Sequence, residues 1–312
     1  MKKDVYYKAF GLYVSILSII VAVFEFVLTN LSKTEKALSL ALYTSVYILG
    51  FILFYFNTIA REKRVRIALL GDINCGKTFF LAVFFDYLQD YKSEKYLIYP
   101  WGKHTLERIQ YYLDVLRFHK RFPATRPMEE KVMLEGKAVK AKHLFHKRIH
   151  FEMYDSSGEE FNEFAYNQKP RYLYDNLYFD KFVTTSDLVF LMISTDLIWG
   201  KELLNGFEQS LNNYISTVQI MADSRAKIKS STPIALIISK SDLLENYGVT
   251  ESQTIEKIKK LINVIEKRHL NFKLFFISSI KLNSAWSYDD FIFMPNKIEQ
   301  PIIWYLEKFS LK

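Results

Sequence analysis

The residues best suited to chemistry sit at 71–78, GDINCGKT. Two glycines, a lysine and a threonine stand there at the spacing G-x-x-x-x-G-K-[ST]. At that spacing the backbone N–H groups of the loop, from Gly71 and Asn74 through Cys75, Gly76, Lys77, Thr78 and Phe79, can wrap a phosphate. A helix starting behind the loop adds the positive end of its dipole. Lys77 can neutralise β- and γ-phosphate oxygens, which makes it a catalytic candidate, and the Thr78 hydroxyl is a candidate ligand for Mg²⁺. The pattern works only between a strand and a helix. VRIALL at 65–70 supplies an apolar strand before it, and KTFFLAVFFDYLQDY, with helix-like spacing, follows.

Three later stretches carry matching chemistry. DSSG at 155–158 ends the run RIHFEMYD. There Asp155 can hold Mg²⁺ through water, and Gly158 can offer its N–H to a γ-phosphate. SKSD at 239–242 ends PIALIISK. Asp242 can accept from the N1–H and 2-amino groups of guanine, because a carboxylate only accepts. The aliphatic stem of Lys240 can cover the base. Ser278 and Ser279 end FKLFFISS, where a base-edge contact belongs. A further apolar run, DLVFLMIST, lies at 187–195, and segments 201–226, 250–269 and 296–309 read as helices. Alternating strands and helices predict an α/β fold with a mainly parallel sheet and helices on both faces. The motifs then fall at carboxyl ends of strands, where open α/β sheets bind ligands.

On these motifs the region from about 64 to 310 resembles a Ras-like GTPase of the P-loop class (TRAFAC-type). GDINCGKT matches the first motif of that family, DSSG the third, SKSD the fourth and Ser278-Ser279, loosely, the fifth. The resemblance implies binding of GTP, GDP and Mg²⁺, hydrolysis of GTP to GDP and phosphate, and loops that order and release with the nucleotide. YDSSGEEF followed by LVFLMIST is also similar to prokaryotic GTPases associated with defence against invaders.

The sequence departs from the family in several places. Ser239 stands where the family has Asn or Thr; it keeps a hydroxyl but lacks the reach of an amide, which predicts softer guanine selectivity. Glu159 stands where a water-orienting Gln is common. It is the candidate for that role, with slow hydrolysis as the expectation; the other reading makes Glu159 and Glu160 exposed loop charges. The threonine that closes over Mg²⁺ is assigned to Thr125, in RFPATRPMEE before the strand EKVMLEG, with Thr105, which reads as the start of a helix, as the runner-up. Arg121 and Arg126 flank Thr125 as either surface cations or a transition-state arginine.

Seventy-seven positions separate Thr78 from Asp155, more than a minimal domain of this kind needs. The excess is an insertion at about 91–120, inside a wider irregular zone at 91–147 that includes a helix at 104–120. Leu106, Ile109, Tyr112, Leu113, Leu116 and Phe118 fall at helical spacing, which suits either an added helix on the core or a partner surface.

Ahead of the GTPase-like region stand two long apolar stretches, 9–28 with Glu25 as its single charge and 37–59 with none. Each is long enough to span a bilayer, which needs about 20 apolar residues in a helix. A retained hairpin fits better than a cleaved signal peptide, since no small-residue cleavage site is visible. The expected division is an anchor at 1–61 and a nucleotide domain at 62–312. Lys2, Lys3 and Lys8 before the hairpin, and Arg61, Lys63, Arg64 and Arg66 after it, place both ends on the cytoplasmic side, as in a bacterial inner membrane. About five residues join the second stretch to the strand, a tether under roughly 20 Å.

A net charge of +8 suits an anionic membrane face, and no compact nucleic-acid module accompanies it. With 50% hydrophobic residues the chain is too apolar to be disordered. The single cysteine, Cys75, excludes an internal disulfide; lying in the phosphate loop, it reads as a loop-filling residue or as a thiol whose pKa the local field lowers. His143 and His146 would point to opposite faces of a strand. The expected partners are membrane lipid and a protein effector, and oligomers are compatible with the sequence. A membrane-associated ATPase or transport subunit, and a scaffold that binds nucleotide without turnover, remain the rival functions.

Overall fold

The computed structural model describes residues 62–91, 95–119, 133–140, 148–166, 182–200, 204–226, 232–268, 270–279, 281–282, 291–292 and 294–310, with five helical positions between 44 and 50. The chain divides into two units, Met1–Arg61 and Glu62–Lys312. The apolar stretch 9–28 and most of 37–59 lie outside the described residues, as do Thr125, Arg121, Arg126, His143 and His146. Among the described residues no helix is long and apolar enough to cross a membrane.

The second unit is built on seven strands. Five run parallel: β1 (Glu62–Gly71), β4 (Arg148–Asp155), β5 (Leu188–Ser194), β6 (Ile234–Ser239) and β7 (Phe272–Phe276). β3 (Met133–Lys140) pairs antiparallel with β4, and β2 (Tyr96–Trp101) antiparallel with β3. The order across the sheet is β2-β3-β4-β1-β5-β6-β7. β1 is central because both its faces are apolar. Val65, Ile67 and Leu69 face one core, and Ala68 and Leu70 the other.

On the first face lies α1 (Lys77–Asp90), whose Phe80, Phe84 and Phe85 are fully buried. α2 (Lys103–His119) packs beside it through Ile109, Tyr112 and Leu113, and α9 (Gln300–Tyr305) adds Trp304. On the second face lie α3 (Gly158–Ala165), α5 (Leu204–Ala226) and α8 (Lys259–Lys267). Short helices α4 (Thr195–Trp199), α6 (Leu243–Asn246) and α7 (Glu251–Lys257) follow or precede the larger elements, and a two-stranded ribbon joins β8 (Lys281–Leu282) to β9 (Phe291–Ile292).

Several expectations are corrected. The zone expected to be irregular at 91–147 holds β2 ahead of its helix, an edge strand whose Tyr96 and Ile98 reach the core. Its helix starts at Lys103 and buries Ile109, Tyr112 and Leu113, but Leu106 is exposed. The helix expected at 250–269 is two helices separated at Ile258, and the one expected at 296–309 starts at Gln300 and loosens to a π turn after Tyr305. Thr105 does lie at the start of a helix, in the first turn of α2, and its hydroxyl accepts the Glu135 N–H at 3.0 Å.

Candidate nucleotide-binding site

The phosphate loop runs from Gly71 to Thr78 between β1 and α1, in the strand–loop–helix setting the chemistry requires. Two residues shape it through a left-handed backbone, Asn74 (φ 63°) and Gly76 (φ 83°). Gly71 is needed for a different reason. A β-carbon there would lie 2.5 Å from the Met192 carbonyl oxygen and 2.7 Å from Cys75 Sγ. The helix opens at Gly76 without a side-chain cap, so its first N–H groups stay with the loop.

Lys77 is buried, 6% exposed, and folds back over the loop. Its Nζ donates to the Gly71 carbonyl at 2.7 Å and to the Asp72 carbonyl at 2.9 Å. Phe79, almost fully buried, belongs to the core beneath the loop. The Thr78 hydroxyl donates to Asp155 Oδ2 at 2.9 Å, with the two residues 9% and 5% exposed. One hydroxyl and one carboxylate thus meet where a small hard cation with oxygen ligands would sit, and they fit Mg²⁺. Among the described residues no group of three or more His, Cys, Asp or Glu could hold a metal, so such an ion would lean on phosphate oxygens and water.

Beyond Asp155, the Ser156 hydroxyl donates to the Leu69 carbonyl at 2.6 Å and ties this loop to β1. Ser157 caps α3 in a reciprocal box with Glu160: the Glu160 N–H donates to Ser157 Oγ at 3.1 Å, and the Ser157 N–H donates to Glu160 Oε2 at 3.0 Å. Glu160 is 4% exposed, so it is not a loop charge. The signature S-x-x-E is visible at 157–160 and identifies this cap. Glu159 is exposed in the first turn of α3. Gly158 lies against the phosphate loop so closely that a β-carbon on it would meet the Ile73 nitrogen at 2.3 Å.

The base-side motif is joined to the phosphate loop through Ser239. Its hydroxyl donates to the Cys75 carbonyl at 2.8 Å. The hydroxyl that Ser239 keeps thus ties the end of β6 to the phosphate loop. Lys240 holds a left-handed backbone (φ 54°), and its ammonium pairs with Asp196, which also accepts from the Tyr247 hydroxyl at 3.2 Å. Asp196 is a residue that sequence reasoning missed; it stands just past the end of β5, beside SKSD in space but far from it in the chain. Asp242 begins α6 and lines a cleft of about 530 Å³ together with Glu245, Phe276, Ser278, Met294 and Asn296. Ser278 is buried, and its N–H and carbonyl both bond the Asn296 backbone, which holds the segment at 294–297 beside the cleft. Ser279 is half-buried.

Cys75 is fully enclosed, and burial pushes its thiol above the usual range despite the nearby Lys77 ammonium. This reverses the expected lowering, because loss of water around a thiolate outweighs the local positive charge. Cys75, enclosed at the base of the loop, fits the loop-filling reading.

The structure therefore brings together Gly71, Asn74, Cys75, Gly76, Lys77, Thr78, Asp155 and Gly158 around one loop, with Ser239 linking Lys240 and Asp242 to it. A search of curated proteins found no match. Among solved structures the chain is similar to a crystal structure of sup35 complexed with GDP, at 14% identity and a TM-score of 0.33, over 72% of this chain and 39% of that one. Residues 65–286 match the model of the family described as Double-GTPase 2, a span that holds all four motifs. The chain belongs to the Double-GTPase 2 family, within the P-loop GTPases.

Proposed function

We propose that the protein is a GTP-binding switch anchored in a membrane by its N-terminal hairpin, and that it hydrolyses GTP slowly. The observation that carries the nucleotide reading is the Thr78–Asp155 hydrogen bond beside a buried Lys77, which sets a cation site and a phosphate cation on one loop. In this reading Lys77 exchanges its two carbonyl partners for phosphate oxygens. Thr78 and Asp155 hold Mg²⁺, which would supply charge neutralisation for phosphoryl transfer to water. Gly158 offers its N–H to the γ-phosphate, and Asp242 reads guanine while the Lys240 stem covers the ring. Glu159 is exposed next to Gly158, as a residue orienting water should be, but its charge near a γ-phosphate favours slow turnover. Thr125 is the proposed switch threonine.

The apolar stretches 9–28 and 37–59 and their basic flanks support a cytoplasmic domain held at an inner membrane. The likeness of YDSSGEEF to defence-associated GTPases supports a role in prokaryotic defence. The guanine reading is tested with Asp242→Asn. An amide puts a donor against the guanine N1–H or 2-amino group, so GTP affinity should fall about tenfold or more while the thermal unfolding temperature holds. Unchanged GTP affinity in Asp242→Asn would remove guanine recognition from this residue.

A further inference from the structure

Asp72 is the second residue of the phosphate loop, and phosphate binding gives it no evident task. A carboxylate near phosphate anions is repelled by them. Yet the side chain is built into a network that reaches two helices. Its Oδ1 accepts the Ile73 N–H at 2.7 Å and Asn162 Nδ2 at 3.1 Å, and its Oδ2 accepts the Ser210 hydroxyl. Its own N–H donates to the Tyr214 hydroxyl at 2.9 Å, and that hydroxyl donates to the Met192 carbonyl at 2.7 Å. Asn213 Nδ2 then donates to Asn162 Oδ1 at 3.0 Å, which fixes the Asn162 amide with its NH₂ toward the carboxylate.

Asn162 lies on α3, one turn beyond Gly158, the first residue of that helix. Ser210, Asn213 and Tyr214 lie on α5. The phosphate loop thus meets α3 at two points: Gly158 against Ile73, and Asn162 on Asp72. One contact permits a hinge; two fix an orientation.

We propose that Asp72 is a positioning residue that sets α3, and with it the Gly158 N–H, against the phosphate loop, so that the site prefers GTP over GDP. The proposal rests on the GTP-binding reading above. Asp72 does not touch the γ-phosphate. Its three donors stabilise the charged carboxylate, and the carboxylate in turn anchors Asn162. Without that acceptor α3 meets the phosphate loop at Gly158 alone, and the Gly158 N–H loses its fixed aim. GDP has no γ-phosphate and does not register the change.

The test is the affinity of the full-length chain for GDP and for a non-hydrolysable GTP analogue, both with Mg²⁺. Wild type, Asp72→Ala, Asp72→Asn and Asn162→Ala are compared. Asp72→Ala and Asn162→Ala should weaken the GTP analogue about tenfold while GDP stays within about twofold. Asp72→Asn keeps one acceptor oxygen and should restore most of the preference. Equal weakening of both nucleotides, equal tightening from loss of a like charge, or an unchanged ratio each overturns the proposal. Should Asp72→Ala fail to fold, Asn162→Ala decides by the same ratio. A wild-type chain that binds neither nucleotide overturns the GTP-binding reading itself, an outcome distinct from an unchanged ratio.

Discussion

Replacing Lys77 by alanine is expected to weaken both GDP and GTP by about a hundredfold or more, because each charge-assisted hydrogen bond to a phosphate oxygen is worth roughly 1.5–3 kcal/mol and the lysine can make two. The ammonium already spans the loop, donating to the Gly71 and Asp72 carbonyls at 2.7 and 2.9 Å. Both acceptors are backbone groups at the loop's start, so Lys77 is pre-placed for the anion rather than recruited to it. A fluorescent GDP titration, with circular dichroism as the check on folding, measures the loss. A folded Lys77→Ala chain with GDP affinity within a few-fold of wild type would mean that phosphate does not bind in this loop.

The second large effect belongs to Gly158→Ala. The added methyl would fall 2.3 Å from the Ile73 nitrogen and 2.5 Å from its Cα, and backbone on both sides leaves neither partner free to yield. α3 must move away from the phosphate loop. GTP hydrolysis should fall at least about a hundredfold, since misplacing a reacting group by about 1 Å has that effect, while GDP binding changes little. Single-turnover hydrolysis of GTP measures it. Wild-type turnover by Gly158→Ala would show that the DSSG loop is not at the γ-phosphate. Thermal unfolding separates this from a loss of fold: helix α3 retains its Ser157–Glu160 cap, which the substitution does not touch.

The strands were legible because their residues are apolar on both faces, and a strand buried on both sides leaves a run such as LVFLMIS or IALIIS. The phosphate loop was legible because its chemistry is local: strand, glycines, lysine and helix lie within one short segment. β2 was not legible. Its alternation of buried Tyr96, Ile98 and Pro100 with exposed Leu97 and Trp101 is short, a proline argues against a strand in sequence, and pairing with β3 makes it one. Glu160 looked like a surface charge next to Glu159; tertiary packing buries one and leaves the other in water. Asp72, Asn162 and Ser210 lie in separate elements, and no spacing in the chain announces that they meet. The bond from the Ser239 hydroxyl to the Cys75 carbonyl was not legible for the same reason. The hydroxyl's reach depends on how near β6 brings it to Cys75, a distance that residue type alone does not give.

Guanine recognition is the central role proposed for Asp242, and competition between nucleotides tests it most directly. The full-length chain with Mg²⁺ and fluorescent GDP is challenged with GTP, GDP and ATP in turn. GTP and GDP are expected to displace the probe at concentrations at least about tenfold below ATP, the discrimination expected where Asp242 meets a mismatched adenine edge. ATP displacing the probe as well as GTP does would contradict a guanine-nucleotide site.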